Sequence, residues 1–172
     1  MPALAADAWE QAEPALFAAA LIQSRRTVLP KRLLEPGPDA RQLAQILEAA
    51  AAAPDHGELV PWRFIILPAQ ARPALAQAFE AALIERDATA TAQQRQQARE
   101  KAFRAPLLML AVVRLGGDEG NVPATERFVS AGCAIQNMLL MATAQGFGSA
   151  LTSGKALQSP PLRALFGLAA HE

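Results

Sequence analysis

Few residues in this 172-residue chain have side chains and spacing suited to chemistry. The candidates are Arg25-Arg26-Thr27, His56 within Pro54-Asp55-His56-Gly57, Pro61-Trp62, and Thr152-Ser153-Gly154. Two adjacent guanidiniums beside a hydroxyl suit a bound phosphate or another flat anion, because the planar fork donates in pairs. At the end of a helix the same arginines would also suit the negative end of its dipole. His56 could exchange or donate a proton near neutral pH, and a lone loop histidine can equally be a surface residue. The single cysteine, Cys133, excludes an internal disulfide. With only His56 and His171 beside it, no ordinary structural zinc site can be built. Cys133 sits among apolar neighbours in mid-helix and reads as an inert buried thiol. No Gly-x-Gly-x-x-Gly follows a strand, no Walker-type loop exists, and no Gly-x-Ser-x-Gly elbow supports a serine triad. Redox work by this chain would therefore need an organic cofactor.

The elements that must position these residues follow from composition and periodicity. Hydrophobic residues make up 52% of the chain, enough for one globular domain with its own core. Sixteen basic and sixteen acidic residues balance, so nothing attracts nucleic acid or an anionic membrane. Asp7, Glu10 and Glu13 near the start argue against a secretory signal, and a reducing, cytoplasmic setting is expected.

The organising stretch is 126–145, rich in Ala, Leu and Met and closed by Gly146, which predicts a helix roughly 30 Å long. Glu126, Ser130, Asn137 and Gln145 form one polar stripe, Gln136 and Thr143 a thinner one. The rest is apolar, so burial on nearly every side is expected, shared with a second subunit. Residues 1–9 are weakly patterned and read as a frayed start. A helix over 14–24 is predicted, with Leu16, Phe17, Ala20 and Leu21 on its buried face. Three prolines make 29–38 irregular. Asp39 caps a second helix whose inner face is Leu43, Ile46, Leu47 and Ala50. Strands are expected over 62–67 and 107–113, helices over 72–84 and from Pro160, an exposed helix or lid over 88–101, a loop over 116–123, and a short run over 149–152. Strands scattered among helices give an α+β single domain, with no linker and no repeat.

Six segments occur in one order: Ser24-Arg25-Arg26-Thr27, Ala53-Pro54-Asp55-His56, Pro61-Trp62-Arg63-Phe64, Phe103-Arg104-Ala105-Pro106, Ser130-Ala131-Gly132-Cys133 and Gln145-Gly146-Phe147-Gly148. In this the chain resembles the nitroreductase family of FMN-dependent oxidoreductases, in particular its small, minimal subgroup. The resemblance runs from about Leu21 to Gly167. It implies a central, mostly antiparallel sheet flanked by helices, in an intertwined homodimer with FMN at the subunit interface. It also implies hydride transfer from NAD(P)H through flavin N5 to nitroaromatics, quinones or similar electrophiles by a ping-pong mechanism. Flavin N5 being the reacting atom, no protein acid or base is required.

The residues matching the family's flavin-contacting segments are Arg25, Arg26, Thr27, His56, Leu151, Thr152 and Ser153, with His56 reaching the flavin from the partner subunit. Residues 141–146 match a stretch associated with nicotinamide nucleotide, although their place late in a buried helix favours core packing. Trp62 is expected in the core beside the site. Three departures stand out. Ala52 replaces an arginine that relatives can carry ahead of Ala-Pro-Asp-His. Leu151-Thr152-Ser153 stands where relatives can have Trp-Arg-Ser. The family's last strand and C-terminal arm are expected to be absent beyond Glu172, which would leave a bare sheet edge. Two other functions remain open, a flavin-binding module without turnover and a flavin-linked dehydrogenase of a small metabolite.

Overall fold

A computed structural model describes residues 6–117 and 121–172, with side chains from Glu13 onward. The expected frayed start, as far as it concerns residues 1–5, and Gly120 of the 116–123 loop lie outside the described residues. The chain folds as α1 (Ala6–Ser24), α2 (Ala40–Ala51), β1 (Trp62–Ile66), α3 (Arg72–Arg86), α4 (Ala92–Glu100), β2 (Met109–Val113), α5 (Ala124–Ala144) and α6 (Pro160–Phe166). None of these helices is long and apolar enough to cross a membrane.

The sheet joins β1 and β2 antiparallel, with Trp62 opposite Val113, Phe64 opposite Ala111 and Ile66 opposite Met109. Side chains alternate across a strand, so each such pair shares a face. Trp62, Phe64 and Met109 pack on α2 and α5, against Ile46, Ala50, Ala134, Met138 and Ala142. The opposite face carries Leu67, Leu108 and Leu110, which meet Leu75, Ala76 and Ala102. Behind them, Leu162 of α6 is buried against Ala78 and Ala82 of α3, a burial that contributes about 1.5–3 kcal/mol. The architecture is a helix layer, a small sheet and a second helix layer, α+β as expected. Among the described residues the sheet has only two strands, fewer than the resemblance implies.

Local chemistry explains most boundaries. Asp39 caps α2 by accepting from the Gln42 amide at 2.8 Å, while the Gln42 side chain accepts from the Asp39 amide at 3.0 Å. This reciprocal pair satisfies donors that would otherwise be orphaned. Thr91 and Gln94 repeat the device at α4, which docks on α3 through an Arg99–Glu80 ion pair of 2.9 Å. Gly146 and Gly167 stop α5 and α6 at φ of 83° and 60°. The 149–152 run is no strand; only Ser149 pairs, in one parallel bridge with Thr27.

The C-terminal part of the polar stripe of α5 faces α2. Asn137 Nδ2 donates to Ala49 O at 3.1 Å, and Gln145 Nε2 to Gln45 Oε1 at 2.9 Å. These contacts fix the register of the two helices at the centre of the fold. The expectation that α5 is buried on nearly every side does not hold within one chain. Ser130, Ala131, Ala134, Met138 and Ala142 are buried, whereas Phe128 is 54% and Val129 66% exposed. One chain supplies α2 and the sheet on one side and leaves the Phe128 side uncovered. Cys133, beside that side, is half-buried rather than enclosed.

The first helix also departs from expectation. It begins at Ala6 and carries Pro14 inside, because alanine-rich sequence sustains helix across one missing N–H. Leu16 and Phe17 are 68% and 73% exposed, so the predicted inner face is not covered by this chain. One buried cation is Arg72 at the start of α3. Its guanidinium donates to Ala102 O, Ala105 O and Pro106 O at 2.8–2.9 Å. Burial pushes this group down from its ordinary value, with the Glu35 charge opposing that shift.

Candidate functional site

Arg25, Arg26 and Thr27 leave the C-terminal end of α1. Arg25 is half-buried, and its Nη1 lies 3.4 Å from Thr27 Oγ1. Arg26 turns back on its own helix, donating to Gln23 O and, at 3.0 Å, to Arg25 O. It therefore satisfies a last-turn carbonyl, the helix-closing role open to it from sequence. Among the described residues neither arginine makes an ion pair.

Beyond Thr27 the chain runs beside Ser149, with Val28 N donating to Ser149 O at 3.0 Å. This contact is close because residue 148 is glycine. A Cβ there would sit 3.0 Å from Val28 Cγ2 and 3.1 Å from Leu33 Cδ2. The bridge sets Thr27 beside Ser149, and Leu151, Thr152 and Ser153, all exposed, follow two to four residues beyond Ser149. Two guanidiniums without carboxylate partners, three hydroxyls and an exposed leucine fit a ligand that joins an anionic group to an apolar surface.

His56 is not part of this cluster in one chain. It opens the turn His56–Glu58 and is exposed. Its Nδ1 lies 2.5 Å from Glu126 Oε2, in the first turn of α5. The Ser149 bridge follows the other end of that 21-residue helix. At 1.5 Å per residue, α5 holds the two ends roughly 30 Å apart. Sequence reading assigned Glu126 only to the polar stripe of α5; a partner 70 residues from His56 leaves no local signal.

The turn around His56 is otherwise tied to the body of the fold. Asp55 Oδ2 accepts from Val60 N at 2.5 Å, and Arg114 Nη2 donates to Leu59 O at 3.0 Å. A cleft of about 540 Å³ opens beside it, lined by Leu47, Trp62, Phe64 and Val60 with the carboxylates of Asp55 and Glu58. Trp62 is half-buried, at once part of the core and a wall of this cleft. Met141 packs against the α2–α5 core and Ala142 lies within it, so this part of the 141–146 stretch serves packing.

The comparisons with known proteins agree on one family. The nitroreductase family model matches residues 22–172. A Haemophilus influenzae protein provisionally named an NAD(P)H nitroreductase is 38% identical over 137 residues, covering 80% of this chain and 73% of that protein. An Escherichia coli K12 protein of the same provisional name is 37% identical over 147 residues, covering 86% and 78%. Among solved structures, a nitroreductase-like protein from Bacillus cereus superposes with a TM-score of 0.75 at 21% identity, over 89% of this chain and 78% of that one. The FMN-dependent nitroreductase NfnB of Mycobacterium smegmatis, solved with NADPH, gives 0.69 at 17% identity over 90% and 82%. A Bacteroides fragilis nitroreductase with bound FMN gives 0.62 at 23% over 87% and 77%. The structural likenesses carry the fold and the sequence matches carry the kinship: this chain belongs to the nitroreductase family.

Proposed function

We propose that this protein is an FMN-dependent NAD(P)H oxidoreductase, working as a homodimer and delivering reducing equivalents to nitroaromatic, quinone or similar electrophilic acceptors. One observation carries the reading. Arg25 and Arg26 present charge without carboxylate partners among the described residues, just ahead of the Thr27–Ser149 bridge that leads to Leu151, Thr152 and Ser153, while His56 sits at the far end of α5. One site can hold all of them only if two chains contribute. The uncovered apolar residues Leu16, Phe17, Phe128 and Val129 give a second copy a surface to bury.

In this reading Arg25 grips an anionic part of the cofactor, the phosphate or the ring edge that gains charge on reduction. Arg26 adds positive potential while it closes α1. Thr27, Thr152 and Ser153 offer hydroxyls, and Leu151 offers an apolar wall to the ring. FMN, when bound, supplies the hydride acceptor and donor at its N5, so the chain's own residues bind, orient and exclude water. Ala52 and Thr152 place no cation where relatives can, so anion binding falls mainly to Arg25 and Arg26. The M. smegmatis and B. fragilis neighbours, solved with NADPH and FMN respectively, support the choice of cofactors.

The absorbance spectrum of the purified protein, NAD(P)H oxidation with a quinone or nitro acceptor in excess FMN, and the mass in solution test this together. Flavin retention, acceptor-dependent turnover and a dimeric mass are expected. A monomer that neither retains flavin nor oxidises NAD(P)H refutes the reading. Tight FMN binding without reduction by NAD(P)H would instead identify a binding module, and reduction of that flavin by a small metabolite would identify a dehydrogenase.

A further inference from the structure

The turn carrying His56 is held in an unfavourable backbone shape. Gly57, Glu58 and Val60 have φ of 75°, 53° and 44°. That region penalises any residue with a Cβ, and a β-branched one most. Strain of this kind persists where the surroundings over-determine it, and it clusters at ligand clamps. Here the surroundings are the Asp55 carboxylate on Val60 N, the Arg114 guanidinium on Leu59 O and the Glu126 carboxylate on His56 Nδ1. The tether leaves the His56 side chain 68% exposed and that of Glu126 47% exposed. An exposed pair adds little to stability, so stabilising the fold does not account for two fixed side chains on a strained turn.

We propose that Glu126 is a positioning residue for His56. A carboxylate only accepts, so the hydrogen sits on Nδ1 and the free nitrogen, Nε2, is the one turned outward. In the neutral imidazole that nitrogen is an acceptor. The ligand group it meets is therefore an N–H or O–H donor, the class represented in FMN by the ring imide and the ribityl hydroxyls. This assignment rests on the flavin-binding, two-chain reading given above. Glu126 touches no ligand itself; it fixes which nitrogen is offered and in which direction, which lowers the ordering cost of binding.

The test has two arms. In flavin-free protein, long-range 1H–15N correlation spectra should place the His56 hydrogen on Nδ1, and Glu126→Ala should move the ring toward the usual mixture. FMN titration of wild type, His56→Ala, Glu126→Ala and the double variant should show each single change weakening binding by about tenfold, roughly one lost hydrogen bond. The double variant should be no worse than His56→Ala alone, because both act through one contact. Glu126→Gln, whose amide oxygen still accepts from Nδ1, should keep most of the affinity. A merely structural Glu126 would lower stability without this coupling. An Nε2–H tautomer in wild type, additive losses, or an Glu126→Gln variant as weak as Glu126→Ala overturns the proposal. Unchanged FMN affinity in Glu126→Ala with a loss in Arg25→Ala would sink this assignment alone, whereas a wild type that takes up no FMN would sink the functional reading with it.

Discussion

Gly148→Ala tests how the Arg25 corner is tied to the 151–153 segment. The added Cβ would lie 3.0 Å from Val28 Cγ2, 3.1 Å from Leu33 Cδ2 and 3.3 Å from Val28 Cβ. Comfortable carbon contacts lie at about 3.5–4.0 Å, so something must give by about half an ångström. Leu33 offers a movable side-chain tip. Val28 is stiff about χ1, and its amide is bonded to Ser149 O at 3.0 Å. The displacement therefore falls on the bridge. Overpacking of this kind costs about 1–3 kcal/mol, and losing glycine's unfolded-state freedom returns about 0.4–1 kcal/mol. The expected net loss is about 1–2 kcal/mol, read by urea denaturation at unchanged slope. FMN affinity should fall as well, since the bridge aligns the two halves of the cluster. Val28→Ala removes the nearest obstructing carbon at a cost of about 1 kcal/mol by itself. In the double variant it should restore part of both stability and affinity, a favourable coupling of about 1 kcal/mol. Additive losses, or a Gly148→Ala protein as stable as the parent, would refute the claim that close approach at residue 148 holds the bridge.

Other expectations follow from single contacts. Arg25→Ala should lower FMN affinity by about 1–3 kcal/mol, the range for a lost charge-assisted bond, while the mass in solution stays the same; an unchanged dissociation constant removes Arg25 from the site. Arg72→Met should destabilise the fold by about 3 kcal/mol, because three carbonyls of the 102–106 segment lose their donor in a buried place. A loss too small to resolve by chemical denaturation would show that water or relaxation replaces the clamp. The Glu172 carboxyl accepts both forks of Arg63 at 2.9 Å and the Ala169 amide at 3.0 Å, which hold it down from 4.5 to about 2. A depressed folded value stabilises above the ordinary carboxylate range and is lost as acid protonates the folded state. The stability gap between wild type and Glu172→Gln should therefore be full above pH 4.5 and close as pH falls toward about 2. A gap that is flat across that window would show that the ion pair contributes nothing.

The order of helices and strands was legible because each rests on short-range chemistry. Asp39 with Gln42, the β-branched and aromatic 62–66 run, Pro160 and the glycines at 146 and 167 act within a turn of themselves. The family could be read for a related reason: its six segments are local signatures, and their order survives without knowledge of any contact. Burial was legible only in part. Apolar periodicity marks a face that seeks cover, and Leu16, Phe17, Phe128 and Val129 look like core in sequence although this chain leaves them open.

What the sequence by itself determined is therefore the element order, the α+β class and the kinship. Tertiary structure alone decided that Asn137 and Gln145 lock α5 to α2, that Arg72 closes the 102–106 segment, and that Glu126 meets His56 across 70 residues. It also set the Arg25 corner and His56 at opposite ends of one helix. Such pairings depend on where two distant segments cross in space. No local preference encodes that crossing, because the energy that selects it comes from packing the whole chain at once.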